Sequence, residues 1–171
     1  MQVARCIRFA LIALGIGSVF PALAGEAQSK TFGWIEEAII EPEAITVKAK
    51  LDTGAKTSSM DAKDLETFKK DGEDWVRFMV ELKDANTGEV SNSPVERRVV
   101  RRIKVRGAGG QESRPVVMMK ICIGNEVYDE QFSLKNRGKM NYPVLIGRRT
   151  LEHLGAVDVS QTFTTKPKCK L

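Results

Sequence analysis

Histidine is almost missing from this chain, which has a single one, His153, in 171 residues. The sequence also has no His-Glu-x-x-His motif, and a zinc hydrolase needs several nitrogen, sulfur or carboxylate ligands close together. His153 is predicted to lie on the surface of a short helix rather than to bind a metal. The sequence therefore predicts no metal site.

A phosphate-binding glycine loop is missing as well. No Gly-x-x-x-x-Gly-Lys-Ser/Thr segment occurs in the chain. The glycine-rich residues 107–110 lack the lysine and a following helix, so they predict a flexible loop. We therefore expect no nucleotide and no other cofactor.

The apolar stretch at residues 9–20 is too short to predict a membrane span. Arg5 and Arg8 precede it, and Ala-Leu-Ala at residues 22–24 fits a signal peptidase site. We therefore predict a signal peptide over residues 1–24, a linker over residues 25–31, and a periplasmic or secreted protein. An uncleaved membrane anchor is the alternative; after cleavage we expect no stable membrane anchor.

The rest of the chain is long enough for one domain with one core, predicted over residues 32–165 with a tail at 166–171. The formal net charge is +5, but acidic residues are interleaved with the basic ones, so no nucleic acid partner is predicted. The exception is an arginine-rich run at residues 97–102. It is interpreted as a solvated strand edge, with binding of nucleic acid or anionic lipid as the alternative.

Two cysteines lie beyond the predicted signal peptide, Cys122 and Cys169. Period-2 alternation places Cys122 on the same face as Lys120, the predicted outer face, where a cysteine in the tail could reach it. An exported protein meets an oxidising compartment. A disulfide and two free thiols both remain open.

Alternation of apolar and polar residues predicts strands at residues 45–51 and 75–82, and a hairpin over residues 114–134. A helical turn is predicted at residues 61–65, and a short helix at 149–154 that ends at Gly155. Many short strands with frequent turns indicate a mainly β fold. We predict a small closed antiparallel β-barrel with one or two short helices.

Two motifs carry the functional information. Residues 51–55 read Leu-Asp-Thr-Gly-Ala, and residues 142–148 read Tyr-Pro-Val-Leu-Ile-Gly-Arg. Together they resemble the two halves of the active-site signature of retropepsin-like aspartic peptidases, in which each chain supplies one catalytic aspartate. The catalytic residues would be Asp52, Thr53 and Gly54. Residues 144–146 would pack beneath the Asp52 loop, and Gly147 would allow the close approach.

Four segments together indicate a more specific family: residues 51–59, 113–117, 136–137 and 142–148. They are similar to a bacterial and archaeal retropepsin-like family long labelled as ATP-dependent zinc proteases. The resemblance implies an acid-protease barrel with Asp52 as the catalytic residue. It also implies an association, in some members, with glutamate ligases and the trimming of acidic tails. The residues give no support for zinc or ATP.

Aspartic peptidases place two carboxylates across one water, and the pair shares a proton because both cannot ionise so close together. This chain has one Asp-Thr-Gly element. The nearest second candidate, Asp158, lacks the glycine. A symmetric homodimer with the dyad on its twofold axis is therefore predicted.

Retroviral enzymes usually carry an acidic residue where this chain has Lys56, and that residue pairs with the arginine of the second motif. Four cations are therefore predicted to bind substrate: Lys56, Arg114, Arg137 and Arg148. Arginine suits bidentate recognition of carboxylates, so we expect a preference for acidic peptides. Structural ion pairs are the alternative for each of the four.

The predicted function is that of an exported, homodimeric aspartic endopeptidase acting on peptides or proteins. The alternative is a non-catalytic module on the same barrel that binds acidic peptides or cell-envelope polymers. Intact Asp52, Thr53 and Gly54 favour the first.

Overall fold

The computed structural model describes residues 30–41, 44–107 and 110–169. The predicted signal peptide and most of the predicted linker lie outside these residues. The strands are β1 (Thr31–Gly33), β2 (Ile35–Ile40), β3 (Ile45–Leu51), β4 (Ser58–Asp61), β5 (Lys63–Lys70), β6 (Glu73–Lys83), β7 (Val90–Arg98), β8 (Arg101–Gly107), β9 (Gly110–Ile123), β10 (Glu126–Lys135), β11 (Val144–Ile146) and β12 (Ala156–Asp158). The helix α1 spans Arg148–Leu154. The mainly β prediction is confirmed.

The largest sheet closes on itself. Its strand order is β10-β4-β11-β3-β2-β9-β8, and β10 also pairs with β9, so six strands form a ring and β8 extends from it. The pairs β10–β4 and β11–β3 are parallel, as is β1–β12 outside the ring. The sheet is therefore mixed, although the antiparallel prediction holds for most pairs. The parallel β11–β3 pair arises because β11 returns late in the chain and inserts between β3 and β4.

A second, three-stranded sheet of β5, β6 and β7 packs against the ring. One face of β6 is buried, and Val76, Phe78, Val80 and Leu82 are almost inaccessible to solvent. They join the same apolar cluster as Val47 and other buried residues of the ring strands. The two sheets therefore share one hydrophobic core, as expected for a single domain of this length.

The helical turn predicted at residues 61–65 is wrong, because Asp61 ends β4 and residues 63–65 begin β5. The carboxylate of Asp61 accepts the backbone N–H of Arg137 at 2.5 Å. The N–H of Ala62 donates to the carbonyl of Lys135 at 3.0 Å. These long-range hydrogen bonds hold the chain extended, and local helix propensity does not compete with them. The predicted helix before Gly155 is confirmed, and the Gly155 N–H donates to the carbonyl of Leu151.

The end of the chain is attached to the ring at two places. The buried carboxylate of Glu36 accepts the backbone N–H groups of Gly33, Thr164 and Thr165 at 2.6, 3.0 and 3.1 Å. Cys169 forms a disulfide with Cys122. Of the two alternatives that the sequence left open, the disulfide is the one observed. Cys122 is completely buried rather than on an open outer face, because the tail crosses over it.

The arginine-rich run at residues 97–102 spans the end of β7 and the start of β8. Strand β8 is the last strand of its sheet, as the interpretation of a strand edge requires. Arg98 lies 3.0 Å from Glu73 in an exposed ion pair, whereas Arg101 is half-buried. Within the residues that the structure describes, no helix is long and apolar enough to cross a membrane.

Candidate active site

Asp52 directly follows β3, at the point where this strand leaves the ring. Its backbone N–H donates to the carbonyl of Ile146 in β11 at 2.8 Å. Its carboxylate Oδ1 accepts the backbone N–H of Gly54 at 2.9 Å. A Cβ on Gly54 would lie only 3.1 Å from that same oxygen, so glycine keeps the turn open for the carboxylate. The N–H of Gly54 is thus directed at the Asp52 carboxylate.

The second motif packs directly beneath this loop, as predicted. Strand β11 pairs in parallel with β3, with Ile146 opposite Leu51, and in antiparallel fashion with β4. A Cβ on Gly147 would lie 2.7 Å from the backbone of Thr57, which a folded chain does not tolerate. Gly147 is therefore required for the close approach of the two motifs.

A chain of buried polar groups anchors the second motif. The N–H of Gly147 donates to Ser58 Oγ at 3.0 Å, and Ser58 Oγ lies 2.8 Å from Thr150 Oγ1. Thr150 Oγ1 donates to Glu130 Oε2 at 3.2 Å, and the other oxygen of Glu130 lies 2.5 Å from Nδ1 of His153. The hydrogen bond with Glu130 raises the pKa of His153 above its ordinary value. The histidine therefore ends a hydrogen-bonded chain that starts at the active-site motif.

Arg148 contacts the active-site loop through its side chain. Its Nη1 donates to the carbonyls of Thr53 and Gly54 at 2.8 and 3.2 Å. Its own backbone N–H donates to the carbonyl of Ala55. Lys56 stands where retroviral enzymes have the acidic partner of this arginine. The side chain of Arg148 instead binds the backbone of the Asp-Thr-Gly turn. This contact supports a structural role for the residue.

Lys50 is a neighbour of Asp52 that the sequence reasoning missed. Its Nζ donates to Asp52 Oδ2 at 3.1 Å. Burial favours a higher pKa of Asp52, but the hydrogen bond and charge of Lys50 and the N–H groups of Gly54 and Ala55 outweigh it. The net result is a lowered pKa. The spacing of two residues along a strand already places both side chains on one face, so the contact was open to prediction.

Beside the Asp52 loop lies a groove of about 570 Å³ between β8 and the start of β4. Its lining contains seven cationic residues and, among the described residues, no carboxylate. The seven are Lys56, Arg101, Lys104, Arg106, Arg114, Arg137 and Arg149. Asp52 is not in this lining, but the groove begins at Ala55, whose N–H donates to the Asp52 carbonyl. The site is therefore strongly attractive to anions on this side.

Three of the four predicted substrate-binding cations line this groove, and Arg148 does not. Lys56 is exposed, whereas Arg114 is paired with Glu112 at 2.7 Å. Arg137 is buried, with Nε donating to the carbonyl of Tyr142 at 3.1 Å. Burial lowers the pKa of Arg137, and the negative charges of nearby carboxylates, including that of Asp52, act in the opposite direction.

The other four cations of the groove were not among the predicted site residues. Arg101, Lys104 and Arg106 come from β8, and Arg149 follows directly after Arg148 in the helix. The signal in the sequence was the dense basic composition of residues 97–106. The interpretation of residues 97–102 as a strand edge does not place them at the site, because the folding of β8 over the Asp52 loop is not visible in a linear sequence.

Two further candidates, Asp158 and His153, make no side-chain hydrogen bond or ion pair with the Asp52 loop within the described part of the chain. Both oxygens of Asp158 are occupied, since they accept hydrogen bonds from Ser160 and Gln161. His153 lies on the helix surface as predicted, with an exposed side chain. Within residues 30–41, 44–107 and 110–169, no group of three or more histidine, cysteine, aspartate or glutamate side chains is arranged to hold a metal ion.

Comparison with known proteins agrees with this geometry. A family model described as "Retropepsin-like aspartic endopeptidase RimB", of the RimB-like family, matches residues 31–168. A crystal structure of a Legionella pneumophila protein of unknown function is 35% identical, with a TM-score of 0.67. The match covers 80% of this chain and 98% of the Legionella chain.

Curated relatives carry a different name. A protein of Shewanella pealeana named "Probable alpha-L-glutamate ligase" is 34% identical over 118 residues, which are 68% of this chain and 25% of that protein. A protein of Desulfotalea psychrophila with the same name is 36% identical over 107 residues, or 61% of this chain and 22% of that protein. The chain thus spans about a quarter of the length of the curated relatives it matches.

The family match covers the whole described domain, including both motifs around Asp52 and Gly147. The fold, the Asp-Thr-Gly turn and the strand packed beneath it are all present. This chain belongs to the RimB-like family of retropepsin-like aspartic endopeptidases.

Proposed function

We propose that the protein is an exported aspartic endopeptidase that cleaves acidic peptides as a homodimer. The observation that carries the proposal is the Asp52 turn itself. Its carboxylate accepts the Gly54 N–H, and its backbone is hydrogen-bonded to β11. This is a carboxylate held in a defined orientation and still about a quarter exposed, as a group that must contact water and substrate requires.

The second carboxylate of the dyad comes from another copy of the chain. Asp158 is engaged with its own turn. Thr53 is exposed, and its hydroxyl makes no hydrogen bond within the part of the chain that the structure describes. An exposed threonine next to the catalytic aspartate is suited to a hydrogen bond across a twofold axis. Both observations support a dyad formed by two Asp52 residues.

In such a dyad one carboxyl is protonated and one is charged. The charged carboxylate takes a proton from water as the water oxygen bonds to the carbonyl carbon of the scissile peptide. The protonated carboxyl gives its proton to the carbonyl oxygen. The tetrahedral intermediate then collapses and the C–N bond breaks. The leaving nitrogen takes up the proton abstracted from water, and a hydroxyl of the intermediate returns a proton to the carboxylate that had donated one.

The charge of the neighbouring groove supports an acidic substrate. Seven cations line it, and one of them, Arg114, is paired with a carboxylate. The names of the curated relatives point in the same direction. A chain related to proteins named glutamate ligases is suited to act on peptides that contain glutamate.

Export is supported by the disulfide between Cys122 and Cys169. Disulfides persist in oxidising compartments and are rare in reducing ones. Together with the predicted signal peptide, this bond favours a periplasmic or secreted location.

The test combines Asp52→Asn with subunit mixing. The variant should fold normally and cleave no glutamate-rich peptide, and wild-type activity should survive EDTA. When the variant is mixed in excess with wild-type protein, and subunits exchange, activity should fall because mixed dimers lack one carboxylate. Asp158→Asn is the matched control and should keep full activity. Cleavage by the Asn variant would eliminate the proposed mechanism, and binding of the peptide without cleavage by wild-type protein would favour the binding module.

A further inference from the structure

Two arginines of the cationic groove, Arg101 and Arg149, are close enough for the charge of one to act on the other. Arg101 and Arg149 both line the groove, and neither makes an ion pair with any residue that the structure describes. Burial lowers the pKa of Arg101, and the positive charge of the neighbouring Arg149 lowers it further. Two like charges held together in this way repel each other, so an anion between them would relieve the repulsion.

Neutral groups hold Arg101 in position. Its Nε donates to Gln131 Oε1 at 2.7 Å, and its Nη2 donates to Thr57 Oγ1 at 3.3 Å. Both acceptors are uncharged, so they orient the guanidinium without neutralising it. A guanidinium fixed in this way is prepared for a bidentate contact with a carboxylate.

A buried hydroxyl in the same lining also lacks a partner. Ser59 is 5% exposed, and its Oγ makes no hydrogen bond within the described part of the chain. Buried polar groups are nearly always hydrogen-bonded in folded proteins. An unpartnered hydroxyl in the groove therefore indicates that a polar ligand completes the site.

The backbone around the groove favours a peptide as that ligand. Four consecutive residues of β8, at positions 103–106, line the groove. Because successive side chains of a strand point to opposite faces, a groove that contacts all four runs along the edge of the strand. β8 is an edge strand of its sheet, so its outer N–H and C=O groups are available to an extended chain.

We propose that Arg101 and Arg149 form a subsite for a side-chain carboxylate of an extended acidic peptide, with Ser59 as an additional hydrogen-bonding group. Adjacent arginines then have separate roles, because Arg148 holds the Asp52 loop and Arg149 contacts the ligand. Arg114 is already paired with Glu112 and is therefore less available to a carboxylate of the ligand. The identification of this peptide as the substrate rests on the proposed function; the binding site does not.

The experiment measures peptide binding in the Asp52→Asn protein, so that no cleavage is needed. Fluorescence anisotropy compares a labelled oligoglutamate peptide with the same peptide made of glutamine. Arg149→Gln and Arg101→Lys should each weaken binding of the glutamate peptide by about tenfold or more, because a hydrogen-bonded carboxylate contact is lost. Ser59→Ala should weaken it several-fold with no change of charge. Binding of the glutamine peptide should not change.

Arg98→Gln is the matched control, since it removes the same charge from an exposed arginine that is already paired with Glu73. Equal weakening by this control, or equal loss on both peptides, would show general electrostatic attraction and overturn the subsite. Tighter binding of a single-stranded oligonucleotide with the same dependence on Arg149 would overturn the assignment to a peptide.

Different results would contradict the peptidase function and the subsite at Arg101 and Arg149. If the Asp52→Asn protein binds the glutamate peptide through Arg101 and Arg149 but the wild-type protein never cleaves it, the subsite stands and the peptidase function falls. If the wild-type protein cleaves glutamate peptides and the arginine variants bind them normally, the subsite falls. Thermal unfolding of each variant shows whether a loss of binding comes from a loss of folding.

Discussion

Lys50 Nζ lies 3.1 Å from Asp52 Oδ2, so a cation on the same strand face contacts the carboxylate assigned to catalysis. In one chain this contact keeps Asp52 charged and holds its pKa below the ordinary value against the effect of burial. In a dimer, two such carboxylates would repel each other, and the two ammonium groups would offset part of that repulsion. In the proposed dimer, Lys50 would therefore help to set the pH range in which the dyad shares one proton.

This relationship predicts the pH profile of Lys50→Met. Removal of the ammonium takes away a group that favours the charged form, so the pKa of Asp52 should rise. The acid limb of the kcat/KM profile should accordingly move to higher pH. Lys48→Met, an exposed lysine on the same strand, is the control and should leave the profile in place. An unchanged acid limb in the Lys50 variant would show that the ammonium does not act on the dyad.

Arg148 is predicted to act on the active-site loop rather than on substrate. Arg148→Met removes two hydrogen bonds to the carbonyls of Thr53 and Gly54, and should lower the free energy of unfolding by about 1–2 kcal/mol. Cleavage of acidic and neutral peptides should fall by the same factor. The neighbouring Arg149→Met should affect acidic peptides alone. Selective loss on acidic peptides in the Arg148 variant would instead place this residue in the substrate site.

The disulfide should contribute measurably to stability. It joins residues 47 positions apart, and the closure of a loop of this length in the unfolded chain corresponds to about 2–4 kcal/mol. Cys169→Ser should therefore unfold at lower denaturant concentration than the oxidised protein. Reduced wild-type protein should match the variant, which controls for the serine itself. A variant as stable as the oxidised protein would show that the bond contributes nothing.

His153 should titrate above the ordinary histidine pKa of about 6.5. Because the chain has one histidine, its imidazole signals can be followed by NMR without assignment of others. Glu130→Gln should bring the pKa back toward its ordinary value, since the hydrogen bond to Glu130 is the main cause of the shift. Glu152→Gln, which removes a weaker charge effect on the same helix, should change it less.

The sign of the linked stability follows from the raised pKa. The contribution of the His153–Glu130 pair is fully present below the unfolded pKa and is lost as the pH rises through the folded pKa. The imidazole is largely exposed, so solvent screening keeps this contribution small. A contribution of this pair to the free energy of unfolding that rises with pH over the same range would contradict a raised pKa of His153.

Local patterns were sufficient for much of the fold. Alternation predicted β3 and β6, and Gly155 marked the end of the helix, because side-chain period and glycine conformation are properties of short segments. The motifs around Asp52 and Gly147 predicted that two distant segments meet. Gly147 is needed there because another backbone, that of Thr57, comes too close for a side chain. The helical turn at residues 61–65 failed because the Asp61 carboxylate binds the N–H of Arg137 and the Ala62 N–H binds the carbonyl of Lys135, and no local pattern reveals these contacts.

The sequence by itself determined the Asp-Thr-Gly turn, the strand beneath it and the mainly β class. Motifs and the alternation of apolar and polar residues are properties of short segments, so they can be recognised without the tertiary structure. The tertiary structure alone decided which groups surround that turn. The insertion of β11 between β3 and β4 brings Arg148 to the carbonyls of Thr53 and Gly54. The folding of β8 across the loop brings Arg101 to Arg149. These contacts join residues far apart in the chain, and their partners depend on strand order and register rather than on local sequence.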